Sequence, residues 1–199
     1  MSITFNPSLT TSPNGNFVVS TEGFYAGSTK ANPSTRQRLE SGLIASTVSQ
    51  SLWGGMPVTV GVDSDGSQGF GCALTVPTSQ ATINGFTVFD QAYNGTIVPG
   101  NSVPLYAPGQ TINFFRIGSG QTIRVQCLAS LVATLEAGNA DQALYWDPAL
   151  FQLTASGTAG AIQLPTSVQV KSVNTNSKVV SYSSGVASWV AGAVAEIIL

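Results

Sequence analysis

The sequence contains no histidine and few charged side chains. Among its 199 residues there are seven Lys or Arg and nine Asp or Glu. Histidine is the commonest general base and the commonest zinc ligand, so its absence excludes Ser-His and Cys-His nucleophile pairs and histidine-based metal sites. The composition therefore argues against an enzyme, and we expect no catalytic residues, no cofactor and no metal ion.

The shortage of charge also determines what the surface is made of. Charged residues form 8% of the chain, whereas hydrophobic residues form 43%, an ordinary fraction. The surface must therefore consist mainly of Ser, Thr, Asn, Gln and Gly. Covering these side chains costs much less free energy than covering Lys or Asp, because fewer ions lose their water. Such a surface favours large, permanent contacts with other proteins.

Nucleic acid and membrane are both unexpected as partners. The formal net charge is −2, and the scattered cations do not provide the positive field that a nucleic-acid backbone requires. The longest apolar stretch, residues 186–199, is interrupted by Ser188, Gly192 and Glu196 and is too short to span a bilayer. The N-terminus has no basic residue before an apolar run, so we predict no secretory signal and expect synthesis in the cytoplasm.

The two cysteines, Cys72 and Cys127, have no nearby Cys or His in the sequence. A disulfide between them is one interpretation. A reducing compartment favours the other, in which both are buried thiols.

Residues 1–36 are predicted to form an extended N-terminal arm. Asn, Pro and Gly recur throughout this segment and interrupt any helix or long strand. It nevertheless carries large apolar side chains, which a solvated linker would have little reason to contain. We predict that the arm docks on a protein partner through Phe5, Phe17, Phe24 and Tyr25.

Residues 37–199 are predicted to form one compact β-barrel or β-sandwich domain, so the fold class is mainly β. Short segments alternate between apolar and polar residues, and Asn, Gly, Ser or Pro separate them. The predicted strands are residues 57–62, 83–89, 111–117, 121–127, 144–146, 151–154, 168–173, 179–182 and 193–199. In the segment 35–49, Gly42 and the polar pattern favour a loop or edge strand over a helix.

Residues 111–127 give the clearest prediction of local structure. Gly118-Ser119-Gly120 separates two alternating segments and predicts a tight turn. The second segment places Ile123, Val125 and Cys127 on one face. We therefore predict a β-hairpin in which these two strands pair with each other.

Carboxylates and lysines offer the remaining routes to catalysis. Paired carboxylates can hydrolyse glycosides without histidine, and the candidates here are Asp90, Glu136, Asp141 and Asp147. Turn sequences surround the three aspartates, which favours solvated loop carboxylates. A Ser-Lys pair would need a buried lysine, whereas the three lysines lie in polar stretches: Lys30, Lys171 and Lys178. A carboxylate-based glycosidase is accordingly the third hypothesis.

The segment Asp63-Ser-Asp65-Gly66-Ser67 is similar to the beginning of a calcium-binding loop. The third ligand and the closing Glu of such a loop are missing. Because Asp-Gly also forms hairpin turns without any metal, we interpret the segment as a turn.

The three tryptophans are Trp53, Trp146 and Trp189. They could line a carbohydrate groove, but packing in the core or at a subunit contact is the commoner use of a lone Trp. Trp53 is the best surface candidate, because Gly54 and Gly55 beside it would let another backbone approach closely. We predict Trp53 as a fifth protein-binding residue. A glycan-binding adhesin that uses exposed Trp and Tyr is the alternative function.

Six segments of the predicted domain follow one another in a characteristic order. They are Arg38-Leu-Glu-Ser-Gly-Leu-Ile44, Ile83-Asn-Gly-Phe-Thr-Val-Phe-Asp90, Tyr106-Ala-Pro-Gly-Gln-Thr-Ile112, Thr122-Ile-Arg-Val125, Gly138-Asn-Ala-Asp-Gln-Ala-Leu-Tyr145 with Trp146-Asp147-Pro148, and Ala193-Val-Ala-Glu-Ile-Ile-Leu199. This order resembles that of the structural cement, or capsid decoration, proteins of tailed bacteriophages. The chain departs from the family pattern where Gly-Asn-Ala-Asp replaces a Gly-Asp turn, and its arm is longer.

The resemblance implies a β-barrel-like subunit on the outer capsid surface of the virion. Its partners would be several copies of the major capsid protein and other copies of itself. A protein that binds only the assembled shell stabilises that shell by mass action, and many identical sites multiply the effect.

Overall fold

The computed structural model describes residues 26–28, 38–62, 72–89 and 103–199. The fold is mainly β, as predicted. In the described residues, eleven strands form a closed five-stranded barrel and a six-stranded sheet.

The barrel contains the first five strands, which are only three to six residues long. They are β1 (Glu40–Ile44), β2 (Pro57–Gly61), β3 (Ala73–Thr75), β4 (Gly85–Thr87) and β5 (Thr111–Arg116). Their order is β1-β3-β2-β4-β5, and β5 pairs with β1 to close the barrel. The β1–β3 pair is parallel and the others are antiparallel.

The six-stranded sheet contains the remaining strands, two of which are much longer. They are β6 (Thr122–Cys127), β7 (Tyr145–Asp147), β8 (Gln152–Thr154), β9 (Ile162–Gln163), β10 (Gln169–Ser183) and β11 (Val186–Ile198). Their order is β10-β11-β6-β8-β7-β9. A single helical turn and a half, α1 (Val132–Ala137), follows a 3₁₀ turn after β6. Within the described segments, no helix is both long and apolar enough to cross a bilayer.

Two hydrophobic cores share the wall of the barrel that β4 and β5 form. Because side chains alternate along a strand, Phe114 of β5 belongs to the core inside the barrel, together with Ile44 and Leu74. The next residue, Phe115, packs on the other side with Ile123 of the six-stranded sheet. The sheet therefore packs against the outside of the barrel, and β5 contributes to both cores.

The predicted hairpin at residues 111–127 is wrong. The turn exists, and Gly118 and Gly120 adopt positive φ angles of 88° and 70° there. However, β5 pairs with β1 and β4, whereas β6 pairs with β11 and β8. The turn carries the chain from the barrel to the six-stranded sheet, because β1 and β4 already occupy both edges of β5 and β6 pairs with β11 instead. The predicted face of Ile123, Val125 and Cys127 is confirmed, since all three are buried.

The C-terminal strands are longer than predicted. Residues 168–173 and 179–182 were predicted as separate strands, but apart from Val168 both belong to the continuous strand β10. The predicted strand 193–199 covers the C-terminal part of β11, which already begins at Val186. The polar residues between Asn174 and Ser177, which resembled a loop in the sequence, form an irregular stretch where the register with β11 shifts. The segment 35–49 contains β1, so a strand is present there, although it has neighbours on both sides. The short elements β3, β9 and α1, and the 3₁₀ turns at Gln80–Thr82 and Ala129–Leu131, were not predicted from the sequence.

The two cysteines are buried thiols, as predicted. Cys72 lies in the barrel core and Cys127 in the core between the barrel and the sheet. Burial raises the pKa of the Cys127 thiol to about 12. This thiol is therefore a poor nucleophile at neutral pH.

Candidate protein-binding surface

The carboxylates that could have formed a hydrolytic pair do not share one environment. Glu136 and Asp141 are exposed, and Asp90 lies outside the described residues. Asp147 was predicted to be a solvated loop carboxylate, but it is only 5% exposed. Its Oδ1 atom accepts hydrogen bonds from the backbone N–H groups of Ala149 (2.8 Å) and Leu150 (3.2 Å). Asp147 therefore stabilises the turn before β8.

A buried charge cluster, which the sequence did not reveal, lies on the six-stranded sheet. Glu196 of β11 is 5% exposed. One of its carboxylate oxygens lies 3.1 Å from Lys171 Nζ, and the other lies 3.4 Å from Arg124 Nε. The side chain of Lys171 is 41% exposed, in agreement with its polar surroundings in the sequence. The only hint in the sequence was the single acidic residue within an apolar terminal strand.

No arrangement in the described part of the chain is suited to metal binding, since no three His, Cys, Asp or Glu side chains cluster there. Two open grooves do occur. One, of about 330 Å³, is lined by Thr47, Gln50, Thr75 and Pro148 among others. The other, of about 420 Å³, lies between α1 and β10. Neither has an aromatic ring on which a sugar could stack.

Trp53 is not a surface residue, so its predicted protein-binding role is wrong for the folded chain. It is 2% exposed and makes an edge-to-face contact with Phe151, with ring centroids 4.9 Å apart. The Tyr182 ring of β10 lies 5.0 Å away on another side. These partners come from distant parts of the chain, which is why local sequence could not reveal the burial. The other four predicted binding residues, Phe5, Phe17, Phe24 and Tyr25, lie outside the described residues.

The other two tryptophans differ in exposure. Trp146 is 2% exposed and belongs to the core between the barrel and the sheet. Trp189 is half-buried and packs its ring against Phe89, with centroids 5.7 Å apart.

The glycines beside Trp53 do admit another backbone, and it is a segment of the same chain. Gly27 has a φ angle of 79°, and a Cβ atom placed there would lie 2.4 Å from the Gly54 carbonyl. A Cβ atom on Gly55 would lie 2.9 Å from the Gly27 nitrogen. Only glycine fits such a crossing, because any side chain would displace one of the two backbones.

We refer to residues 26–28 as the seam segment, because they connect the barrel to the six-stranded sheet. Ala26 N–H donates to the Lys178 carbonyl of β10 at 2.9 Å. Gly27 N–H donates to the Arg124 carbonyl of β6 at 2.6 Å, and the Gly27 carbonyl accepts from Phe89 N–H at 3.0 Å. This segment lies within the predicted arm of residues 1–36, and it is built into the body.

The β10–β11 hairpin extends well beyond the rest of its sheet. Strand β11 pairs with β6 only over residues 193–198, whereas it continues to pair with β10 as far as Ser183 and Val186. One face of the extension, which we call the inner face, packs on the barrel. Its members are Val180, Tyr182, Ala187 and Trp189, and all of them contact the barrel core.

The opposite face of the extension, which we call the outer face, presents Ser181, Ser183, Val186, Ser188 and Val190. Val179, the register partner of Val190, lies on the same face but is buried with Ala26. Val186 is 53% exposed and Val190 is 40% exposed. Ser181 and Ser183 are exposed and Ser188 is half-buried. No charged side chain belongs to this face.

Comparison with models of protein families, with curated proteins and with solved structures found no match for the chain.

Proposed function

We propose that this chain is a structural protein of a bacteriophage head, which binds the outside of the shell and holds capsid subunits together. The resemblance of its ordered segments to the cement proteins supports this function. A mainly β body agrees with the resemblance. The low content of ions also supports it, because a neutral surface loses little hydration free energy when neighbours cover it.

The observation that carries the proposal is how the seam segment is held. A cementing protein has to resist forces that separate the subunits it connects. Residues 26–28 form backbone hydrogen bonds to β6, to β10 and to the strand end after β4, so both sheets hold this segment. The residues that precede it in sequence contain the predicted binding side chains. A force applied to those residues would thus be transmitted through the seam segment to both the barrel and the six-stranded sheet.

The mechanism is passive. The arm would insert Phe5, Phe17, Phe24 and Tyr25 between capsid subunits. Each aromatic side chain that becomes buried contributes roughly 1.5 to 3 kcal/mol, although ordering the arm offsets part of this gain. Because the chain would bind only the assembled shell, its binding free energy stabilises that shell.

Removal of residues 1–25 tests this function. The cut leaves the seam segment intact, so we expect a folded protein with an unchanged circular dichroism spectrum. We expect the full chain to sediment with heads that lack it, and the truncated chain to stay in the supernatant. A matched control replaces Phe5, Phe17, Phe24 and Tyr25 by Ser in the full-length chain and should also abolish binding.

Two results would count against this account in different ways. If the truncated chain sediments with heads as well as the full chain does, the arm has no role in binding. If the full chain itself fails to bind any assembled shell, the proposed function is wrong.

A further inference from the structure

The contacts of Ala26 indicate the direction in which the chain enters the seam segment. Its N–H donates to the Lys178 carbonyl of β10 at 2.9 Å, and its side chain is buried with Val179 and Val194. In a parallel pair, a residue donates to the carbonyl that precedes its neighbour and shares a face with that neighbour. Ala26 therefore lies beside Val179 as in a parallel pair. An antiparallel course would place it beside Lys178, whose side chain points to the other face of β10.

A parallel course leads the preceding residues back along β10 toward the beginning of that strand. Strand β10 lies at one end of the sheet order, and an extended segment can pair with such a strand. Ser20 stands six residues before Ala26, and Val173 stands six residues before Val179. An extended chain advances about 3.3 Å per residue, so Ser20 reaches the level of Val173. The irregular stretch of β10 changes this match by about one residue.

The groove between α1 and β10 lies at this level. Val170 and Val173 line it from β10, whereas Leu135 and Ala140 line it from the side of α1. Leu135 and Val170 also belong to the core between the barrel and the sheet, so the groove has an apolar floor. Its volume is about 420 Å³. Residues 17–19 of the sequence are Phe-Val-Val, and such apolar side chains gain free energy when an apolar surface covers them.

We propose that, in the free protein, residues 17–20 occupy this groove and residues 21–25 connect them to the seam segment along β10. Phe17, Val18 and Val19 would then be shielded from water instead of exposed on a solvated arm. Docking in the groove and insertion between capsid subunits would be alternative positions of the same arm. The docking is a property of the free protein and does not depend on the proposed function.

A segment of the same chain suits this groove better than a separate peptide. Ser20 is tethered to the body through Ala26, so its local concentration near the groove is high without any binding from solution. An ionic partner is not required, because Lys171 at the groove already pairs with Glu196 at 3.1 Å. Residues 17–20 carry no charge and therefore lose little hydration free energy on docking.

Cysteine pairs test the position of the segment in the purified full-length chain. Ser172→Cys places a thiol at an exposed position of the groove, and Val18→Cys, Val19→Cys or Ser20→Cys places a second thiol on the segment. Under a mild oxidant, at least one of these three pairs should form an intrachain disulfide about tenfold faster than its control. The control uses Ser156→Cys in place of Ser172→Cys, at a position exposed on a turn outside the groove. The native thiols are buried and should not compete.

Chymotrypsin cleavage gives a second test without added thiols, because this enzyme cuts after aromatic residues. Ala140→Arg, at an exposed position of the groove, should displace the segment and raise the rate of cleavage after Phe17 about tenfold. Cleavage after Phe5 should not change, since Phe5 lies outside the docked segment. The matched control, Ala137→Arg, alters an exposed residue of α1 that does not line the groove and should leave both rates unchanged.

Two results would overturn the proposal. They are cysteine pairs of which none crosslinks faster than its control, and a rate of cleavage after Phe17 that Ala140→Arg leaves unchanged. Disulfides between two chains in place of the intrachain disulfide would assign the segment to another copy and would also overturn it. A chain that gives both expected results but binds no assembled shell would reject the proposed function and leave the docking of residues 17–20 standing.

Discussion

The barrel and the β10–β11 hairpin are both built from paired β-strands, but the barrel is closed and the hairpin extends beyond its sheet. The barrel strands are short and close on themselves, so β1 to β5 all have a neighbour on each side. The hairpin strands, of 15 and 13 residues, continue past the last strand of their sheet that supports them. Closure removes exposed edges, whereas the extension presents a new face to solvent. We infer that the barrel mainly stabilises the body, and that the hairpin provides surface for contacts.

The two regions are nevertheless firmly connected. The inner face of the hairpin completes the barrel core, and Trp53 packs between Phe151 and Tyr182. The seam segment adds backbone hydrogen bonds from both sides. The contacts between the barrel and the hairpin can therefore be removed one at a time by substitution.

The largest effect is expected where the two regions cross. Gly27→Ala places a methyl group about where the Gly54 carbonyl lies, and alanine is strained at a φ angle of 79°. We expect the free energy of unfolding to fall by about 3 kcal/mol or more, measured by denaturant titration.

The matched control for that change is Gly157→Ala. Gly157 also has a positive φ angle, of 84°, but nothing lies within 4 Å of a Cβ atom placed there. Only the backbone strain remains, so we expect a loss of about 1 to 2 kcal/mol. Equal losses at the two positions would show that the crossing does not hold the two regions together.

An intermediate effect is expected from the buried charge cluster of the six-stranded sheet. Glu196→Gln removes the carboxylate that faces Arg124 and Lys171, and we expect a loss of about 2 kcal/mol in unfolding free energy. The barrel supplies the control, because Glu40 pairs with Arg116 at 2.8 Å and both side chains are largely exposed. Glu40→Gln should cost less than about 1 kcal/mol. A larger loss of unfolding free energy for Glu40→Gln than for Glu196→Gln would contradict this expectation.

The smallest effect concerns Cys127 in the six-stranded sheet. Its pKa is raised by burial to about 12 from 9.0, so above pH 9 the unfolded chain loses the thiol proton more readily than the folded chain. The contribution of the protonated Cys127 thiol to the free energy of unfolding is therefore fully present below pH 9 and is lost as the pH rises toward 12. Between pH 9 and pH 10 we expect a decrease of about 1 kcal/mol in unfolding free energy from this group. A Cys127→Ala variant should lack this pH-dependent decrease. If the free energy of unfolding of the two proteins changed in parallel with pH, the prediction would be contradicted.

The strands were more predictable than their partners. The period-two alternation identified β2, β5 and β6, because one or both faces of each strand are buried and the pattern is local. Pairing is not local: β6 joins β11 at the far end of the sequence, so the glycine turn before β6 led to the wrong hairpin. The continuity of β10 was hidden by polar residues at a register shift.

The candidate surface was predictable only in part. Composition indicated a neutral surface, but it could not locate that surface on the hairpin. Trp53 illustrates why, because its burial depends on Phe151 and Tyr182, which the fold brings to it from distant positions. In the sequence, the alternation of apolar and polar residues within 181–190 was the one signal for the outer face. That alternation does not reveal which of the two faces the barrel covers.

An electron-microscopy map of the native particle tests the central claim most directly. The account predicts density for this chain on the outside of a capsid, with its neutral faces against neighbouring proteins. A particle whose shell is complete and bears no such density, together with a purified chain that binds no shell, would contradict it.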